Sequence, residues 1–469
     1  MTIDDHTTRI AVIGSGPAGF YAAGQLFAGG SDVKVDMYDR LATPWGLVRA
    51  GVAPDHPKIK SVTRVYEKIA ANPGFTFHGN VEVGTDVTHA ELASAYHAVL
   101  YAVGSPTDRR VGIPGEDLPG SHAATEFVAW YNGHPDYAEH TFDLSTERAV
   151  VVGNGNVALD VARMLALTQQ ELAVTDTADH ALAALAASHV REIVVLGRRG
   201  PAQAAFTNPE LRELNEMQDA DVVVDPADVA LDELSSAYLL TDADITVKRN
   251  VEILQAFAQL PAPSKSKRIL LRFLTSPVEI LGGDRVEGIR VVRNELVATE
   301  TGLSARPTGE FEDIQAGLVL RSIGYRGSPI EGVPFDERRA TIHNDGGRVT
   351  DPETSRPVAG VYVAGWIKRG PSGVIGTNKK CATETVDALL KDLSDGLLPE
   401  PSTSPGELLK TLEQRGVEVV DYAGWEAIDE HERAAGEPHG RPRVKLTSVE
   451  DMLEVASRRA GKTPEPLQS

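Results

Sequence analysis

The chain repeats one pattern twice, and that repeat restricts its possible folds more than any other feature. Arg9-Ile-Ala-Val-Ile-Gly14-Ser-Gly16-Pro-Ala-Gly19 is a short apolar run, a glycine turn and the start of an apolar helix continuing through Leu26 and Phe27. Arg148-Ala-Val-Val-Val-Gly153-Asn-Gly155-Asn-Val-Ala158 repeats it as G-x-G-x-x-A. Such runs predict buried parallel strands, and Pro17 suits a first helical position. The first glycine of each turn permits the bend, the second leaves the backbone bare for a pyrophosphate, and the third small residue lets helix and strand pack closely. Unpaired N–H groups at the helix start then face the phosphates. Two such units predict two bound dinucleotides.

With 43 glycines in 469 residues the string alone is weak, so the residues after each turn carry the reading. The strand from Val33 ends in Asp39, 20 residues beyond Gly19, where a carboxylate can accept the hydroxyls of an adenosine ribose. The corresponding strand of the second unit, from Glu192 to Gly197, ends instead in Arg198-Arg199. Two guanidiniums in place of the acid fit a 2′-phosphate, so this site is expected to take NADP rather than NAD.

Length predicts two or three domains. A formal charge of −21 argues against a nucleic-acid partner. The one cysteine, Cys381, excludes a disulfide framework, a Cys-x-x-Cys redox pair and a four-cysteine cluster of the chain's own, and reads as a small core residue. No apolar run reaches the ~18 residues of a membrane span, and Met1-Thr-Ile-Asp-Asp-His lacks a signal-peptide pattern, so a cytoplasmic protein is expected. A monomer is expected as well.

Along the chain, a helix is expected from Ile59 to Ala71, strands at 75–78 and 81–84, and a buried strand from Ala98 to Ser105. The alanine-rich stretch between Leu165 and His189 reads as a helical insert. Residues 245–297 read as strands with a hairpin turn at Gly282-Gly283. A strand from Ala316 to Tyr325 is expected to return the chain to the first domain. A further strand ends at Trp366, and a glycine-preceded helix from Gly370 through Leu390 offers a second docking point for an anion or polar ring. After a linker, helices near 407–415 and 425–435 form an appendage, and Lys462–Ser469 is expected to be disordered.

Four stretches sharpen this. Trp45-Gly-Leu-Val-Arg-Ala-Gly-Val-Ala-Pro-Asp-His-Pro, Gly153-Asn-Gly-Asn-Val-Ala-Leu-Asp-Val-Ala-Arg, Leu196-Gly-Arg-Arg-Gly-Pro-Ala-Gln-Ala-Ala-Phe-Thr and Gly373-Val-Ile-Gly-Thr-Asn-Lys-Lys resemble the adrenodoxin reductase type of ferredoxin-NADP reductase, from about residue 8 to 455. The resemblance implies an α/β fold of two Rossmann-like dinucleotide-binding domains: an FAD domain over 1–107 and 324–469, with an NADP domain over 108–323 inserted in it. It implies FAD held by Gly14, Gly16, Ala18, Gly19, Asp39, Leu47 and Val83, with Trp366 and Gly373, Val374 and Ile375 meeting the flavin ring. For NADP(H) it implies Asn154, Gly155, Asn156 and Val157, Arg198 and Arg199 on the 2′-phosphate, Glu210 nearby, and Gly373 near the nicotinamide. The family pattern carries glutamate where this chain has Asp39, a shorter reach.

The implied activity is electron transfer from NADPH through FAD, one electron at a time, to a ferredoxin-type iron-sulfur protein. His56 and Asp160 are the candidate catalytic residues, for orienting cofactor or handling a proton; the alternative is a histidine held between prolines and an acid paired within its own helix. Two other functions stay open: another two-dinucleotide flavin reductase, such as the electron-input subunit of a synthase, and a non-catalytic FAD-binding redox sensor.

Overall fold

The computed structural model describes residues 7–29, 32–300 and 302–459; Lys462–Ser469 lies outside them. The chain divides into two compact units, one of Met1–Val52, His56–Thr107 and Tyr325–Ser469, the other of Ala53–Asp55 and Asp108–Gly324.

The first unit is built on a seven-stranded sheet ordered Asn344–Asp345, Arg348–Thr350, Pro357–Val363, Ala98–Tyr101, Thr8–Ile13, Val33–Tyr38, Phe75–His78. From Pro357–Val363 onward neighbouring strands are parallel. The opening strand is central, which is why Ile10, Ala11 and Val12 are wholly buried, as a strand covered on both faces requires. The Pro17–Ala28 and Ile375–Ser394 helices pack together over one face, sharing a core with Trp425 and Ile428 of the appendage helix Tyr422–Gly436. Tyr38, Tyr101 and Leu412 belong to the core on the other face.

The second unit has a six-stranded parallel sheet ordered Ser121–Ala123, Leu318–Arg321, Arg148–Val152, Glu192–Leu196, Lys267–Arg272, Ala220–Val224. Helices including Asn156–Ala166 cover one face. An antiparallel meander, Thr275–Leu281, Gly288–Thr299 and Gly302–Gln315, packs Ile280, Ile289 and Val291 against Val150, Val152 and Val194 on the other.

Several expectations are corrected. Residues Ile245–Phe257 form a helix, not strands; Asp244 caps it by accepting from Val247 N at 2.9 Å, and its buried residues Asn250, Val251, Leu254 and Phe257 follow helical spacing. The strand expected over 316–325 is Leu318–Arg321, an interior strand of the second unit beside Arg148–Val152, and the chain re-enters the first unit after it, at Tyr325. Residues 81–84 form a turn with one bridge, Val83 to Val87, and the helix expected over 59–71 is two short ones, Pro57–Lys60 and Thr63–Ala70. A further helix, Val449–Arg459, follows the two expected in the appendage.

The helix Pro405–Gln414 ends in Arg415, which donates to both oxygens of Glu91, at 2.5 and 3.2 Å. With a backbone donor from Thr88, this pulls the Glu91 carboxyl down to about 2. Because the folded-state value lies below the unfolded one, the stability this contributes is present above the ordinary carboxylate range and is lost as pH falls through it toward about 2. Both groups are part-exposed, so the effect is small. Arg415→Ala should lower the melting temperature more at pH 7 than at pH 2; thermal melts showing the same loss at both would contradict the pairing.

Candidate functional site: two glycine turns and a buried arginine cluster

The two glycine turns begin alike. Gly14 N donates to Tyr38 O at 2.8 Å, and Gly153 N to Leu196 O at 2.9 Å, each tying the turn to the next strand. Gly14 and Gly153 hold φ of +101° and +128°, and a Cβ would lie 2.6 Å from Ala102 O at the first and 2.0 Å from Ser322 O at the second. A Cβ at Gly19 would lie 2.0 Å from Gly14 O, so the close packing of turn and helix depends on its absence.

Gly16 and Gly155 differ. Both have extended φ and ψ open to any residue, and a Cβ on either meets nothing within 4 Å. Neither backbone strain nor neighbouring atoms account for glycine there. The open space lies at the N-termini of the Pro17–Ala28 and Asn156–Ala166 helices, where a phosphate-bearing group would approach the backbone.

In the first unit, Asp39 Oδ2 accepts from Ser15 N at 2.8 Å and from Ser15 Oγ at 2.5 Å, while Oδ1 accepts from Leu41 N at 3.0 Å. The carboxylate therefore braces the turn; with about four lone-pair sites it keeps acceptor capacity for a ribose hydroxyl. Ala18 meets the end of the Pro357–Val363 strand closely, since a Cβ on Gly365 would lie 2.7 Å from Ala18 Cβ. Trp366 follows directly, its ring 5.2 Å from that of Tyr325. Gly373 has φ of +78°, and Val374 N donates to Thr377 Oγ1 at 3.2 Å at the start of Ile375–Ser394. Leu47 and Val374 are exposed large apolar side chains, Val83 is half-buried, and His56, at the start of Pro57–Lys60, is buried. Cys381 is buried and accepts from Gly365 N at 3.3 Å, in keeping with a core role.

In the second unit, Asn156 Oδ1 accepts from Thr207 N at 2.8 Å and Asn154 O accepts from Ala205 N at 3.2 Å, so the segment after the arginine pair folds back on the turn. Val157 is packed at the edge of the helix-side core. Arg198 is exposed and Arg199 half-buried, and neither pairs with a carboxylate among the described residues. Burial, and then the neighbouring Arg198, lower the Arg199 pKa, as expected where cations gather without an anion. Asn294 Nδ2 and Leu274 N donate to the backbone carbonyls of Arg198 and Arg199, at 2.8 and 3.0 Å, fixing the strand end.

Asp160 and Glu210 come together through a residue the sequence reading missed. Arg163 has a side chain 3 % exposed; it donates from Nε to Asp55 Oδ2 at 2.5 Å and from Nη2 to Asp55 Oδ1 at 3.2 Å and Asp160 Oδ1 at 2.6 Å. Its Nη1 lies 3.5 Å from both Glu210 Oε2 and Glu213 Oε2. Burial works against this charge, but Asp160, Asp55 and Glu210 outweigh it and push the Arg163 pKa up. Asp160 is thus paired within its own helix, the alternative weighed for it above. The i,i+3 spacing of Asp160 and Arg163 was visible in sequence; the arm to Asp55, 108 residues away, was not. The two candidate catalytic residues fall in different units, His56 in the first and Asp160 in the second.

Two parallel-sheet units, each with a glycine turn at a strand end, one followed by an acid and the other by two arginines, define a two-dinucleotide oxidoreductase. The family described as pyridine nucleotide-disulphide oxidoreductase matches residues 8–195. The chain is 50% identical over 460 residues to the NADPH-ferredoxin reductase FprA of Mycobacterium leprae, covering 96% of this chain and 98% of that one. It is 44% identical over 462 residues to the mitochondrial NADPH:adrenodoxin oxidoreductase of Salvelinus fontinalis, covering 96% and 91%. The structure of Mycobacterium tuberculosis FprA in complex with NADPH superimposes with a TM-score of 0.91 at 48% identity, over 96% of this chain and 100% of that one. The chain belongs to the adrenodoxin reductase-type family of NADPH-ferredoxin reductases.

Proposed function

We infer that this protein is an NADPH-dependent flavoprotein reductase that passes electrons, one at a time, to a ferredoxin-type iron-sulfur protein. The observation that carries the reading is the pair Gly16 and Gly155, glycines that the fold itself does not require, each facing open space at a helix N-terminus. FAD, when bound, takes two electrons from NADPH and releases them singly to a one-electron acceptor. The first unit would hold it, with Gly14 and Gly19 shaping the turn, Gly16 and Ala18 at the pyrophosphate, Asp39 on the ribose, and Leu47, Val83, Trp366 and Gly373–Ile375 around the ring. The second would hold NADP(H), with residues 154–157 on the pyrophosphate, Arg198 and Arg199 on the 2′-phosphate, and Glu210 fixed by Arg163.

The chain's own work is orientation and charge placement. The Ser15–Asp39 bonds hold the first turn, and Arg163 keeps Asp55, Asp160 and Glu210 as one fixed anionic group. His56, in the first unit, has the proposed task of orienting cofactor or relaying a proton. A single buried cysteine leaves no dithiol for the disulfide chemistry of other two-dinucleotide enzymes. No helix among the described residues is long and apolar enough to cross a membrane, and a cytoplasmic monomer is the proposed setting.

The acceptor is expected to be acidic, and a chain of net charge −21 needs a local basic face to dock it. Arg191 and Arg212, the arginines proposed for this outside the 2′-phosphate pair, are both exposed, and Arg191 also donates to Ser188 O and Val190 O. Long-range repulsion is screened first as the Debye length falls from about 30 Å at 0.01 M salt to about 8 Å at 0.15 M. Ferredoxin reduction should therefore pass through a maximum at moderate ionic strength, while ferricyanide reduction should not. Parallel salt titrations giving one profile for both would contradict electrostatic docking.

A further inference from the structure

The C-terminal appendage holds a buried ion cluster that the chemistry above does not use. Glu432, on the Tyr422–Gly436 helix, is 0 % exposed. Its carboxylate accepts a fork from Arg49, Nη2 to Oε1 at 2.5 Å and Nη1 to Oε2 at 2.8 Å. Leu446 N donates to Oε1 at 2.8 Å and Arg443 Nη1 to Oε2 at 3.1 Å. Burial alone would raise the Glu432 pKa, but the Arg49 charge and its hydrogen bonds outweigh burial and hold it below the usual range.

Arg49 belongs to the loop that the first glycine turn supports. Trp45 N donates to Ser15 O at 2.9 Å, and a Cβ on Gly46 would lie 3.0 Å from Gly16 Cα, so the loop lies directly on the turn. Trp45 holds φ of +85°, a left-handed conformation that a bulky residue keeps only when its surroundings impose it. Those surroundings come from the appendage: the Trp425 ring meets Trp45 edge-on at 4.7 Å and carries the Arg49 guanidinium 5.6 Å from its centroid. Lys445 Nζ donates to Arg49 O at 3.2 Å.

A buried ion pair is a weak source of net stability, since apolar residues of similar volume often serve as well. What the fork supplies is a fixed direction. We propose that Glu432 is a positioning residue for FAD: through Arg49, and with Trp425, it clamps the Trp45–Arg49 loop against the Ser15–Gly16 turn in the shape that holds the cofactor. The proposal rests on the reading of the first unit as the FAD unit.

Glu432→Gln keeps the side-chain shape and removes the charge; Arg49→Lys keeps the charge and loses both the fork and the planar contact with Trp425. Each should raise the FAD dissociation constant of the purified holoenzyme at least about tenfold and alter the visible circular dichroism of bound flavin, because a charge-assisted hydrogen bond is lost from the clamp. Affinity of the second unit for 2′,5′-ADP should stay as in the parent. A lowered melting temperature with parental FAD affinity and flavin spectrum would overturn the proposal, leaving Glu432 a structural group only. Should Glu432→Gln fail to fold, a folded Arg49→Lys that retains FAD like the parent overturns it equally. A folded parent protein that takes up no FAD would instead overturn the reading of the unit itself, and the clamp with it.

Discussion

Gly16→Val is expected to give a folded, colourless protein. Glycine at this position has ordinary extended backbone angles, and a Cβ there touches nothing within 4 Å, so the apo fold should accept the side chain. The space that valine fills is the approach of the pyrophosphate to the start of the Pro17–Ala28 helix. Flavin content should fall from about one per chain to near zero, with far-ultraviolet circular dichroism and apo melting temperature close to those of the parent. Gly19→Val would not isolate the effect, since a Cβ there lies 2.0 Å from Gly14 O and the turn itself must open. Full flavin content in folded Gly16→Val protein would show that this turn does not bind the cofactor.

The second large effect concerns the nicotinamide cofactor. Arg198 and Arg199 end the Glu192–Leu196 strand side by side, unpaired with any carboxylate among the described residues, and the Arg199 pKa is lowered by its burial and by its neighbour. A dianionic 2′-phosphate would relieve both. At about 1.5–3 kcal/mol for each charge-assisted hydrogen bond, two arginines should favour NADPH over NADH by about 10² to 10⁴ in kcat/KM. Replacing both with alanine should remove most of that ratio, chiefly by lowering kcat/KM for NADPH while NADH use changes little. Equal use of the two cofactors by the parent enzyme would overturn the assignment.

What was legible in the sequence was what short-range pattern encodes. The strand, glycine turn and helix at Ile10–Gly19 and again at Ala149–Ala158 appear in the structure because each needs only local geometry and a buried parallel strand. The Ile245–Phe257 helix was misread because Ile245, Val247, Val251 and Ile253 mimic strand alternation; the Asp244 cap was the signal for a helix. The position of Leu318–Arg321 inside the second sheet, beside Arg148–Val152, was not legible, because a run of buried β-formers carries no mark of the strand it pairs with. Within the candidate sites, the glycines and the arginine pair could be read from their spacing. The links from Arg163 to Asp55 and from Arg49 to Glu432 could not, since they join residues 108 and 383 apart, and no local pattern announces such a pairing.

The central claim is that two electrons enter from NADPH and leave singly through a flavin to an iron-sulfur protein. The most direct measurement is the stoichiometry of an anaerobic mixture of the purified FAD-loaded protein, limiting NADPH and excess small acidic ferredoxin, followed at the separate absorption bands of the nicotinamide and the iron-sulfur centre. The account predicts two ferredoxins reduced for each NADPH consumed, and none when folded Gly16→Val protein replaces the parent. NADPH oxidation that leaves the ferredoxin oxidised, or ferredoxin reduction that persists in the flavin-free variant, would contradict it.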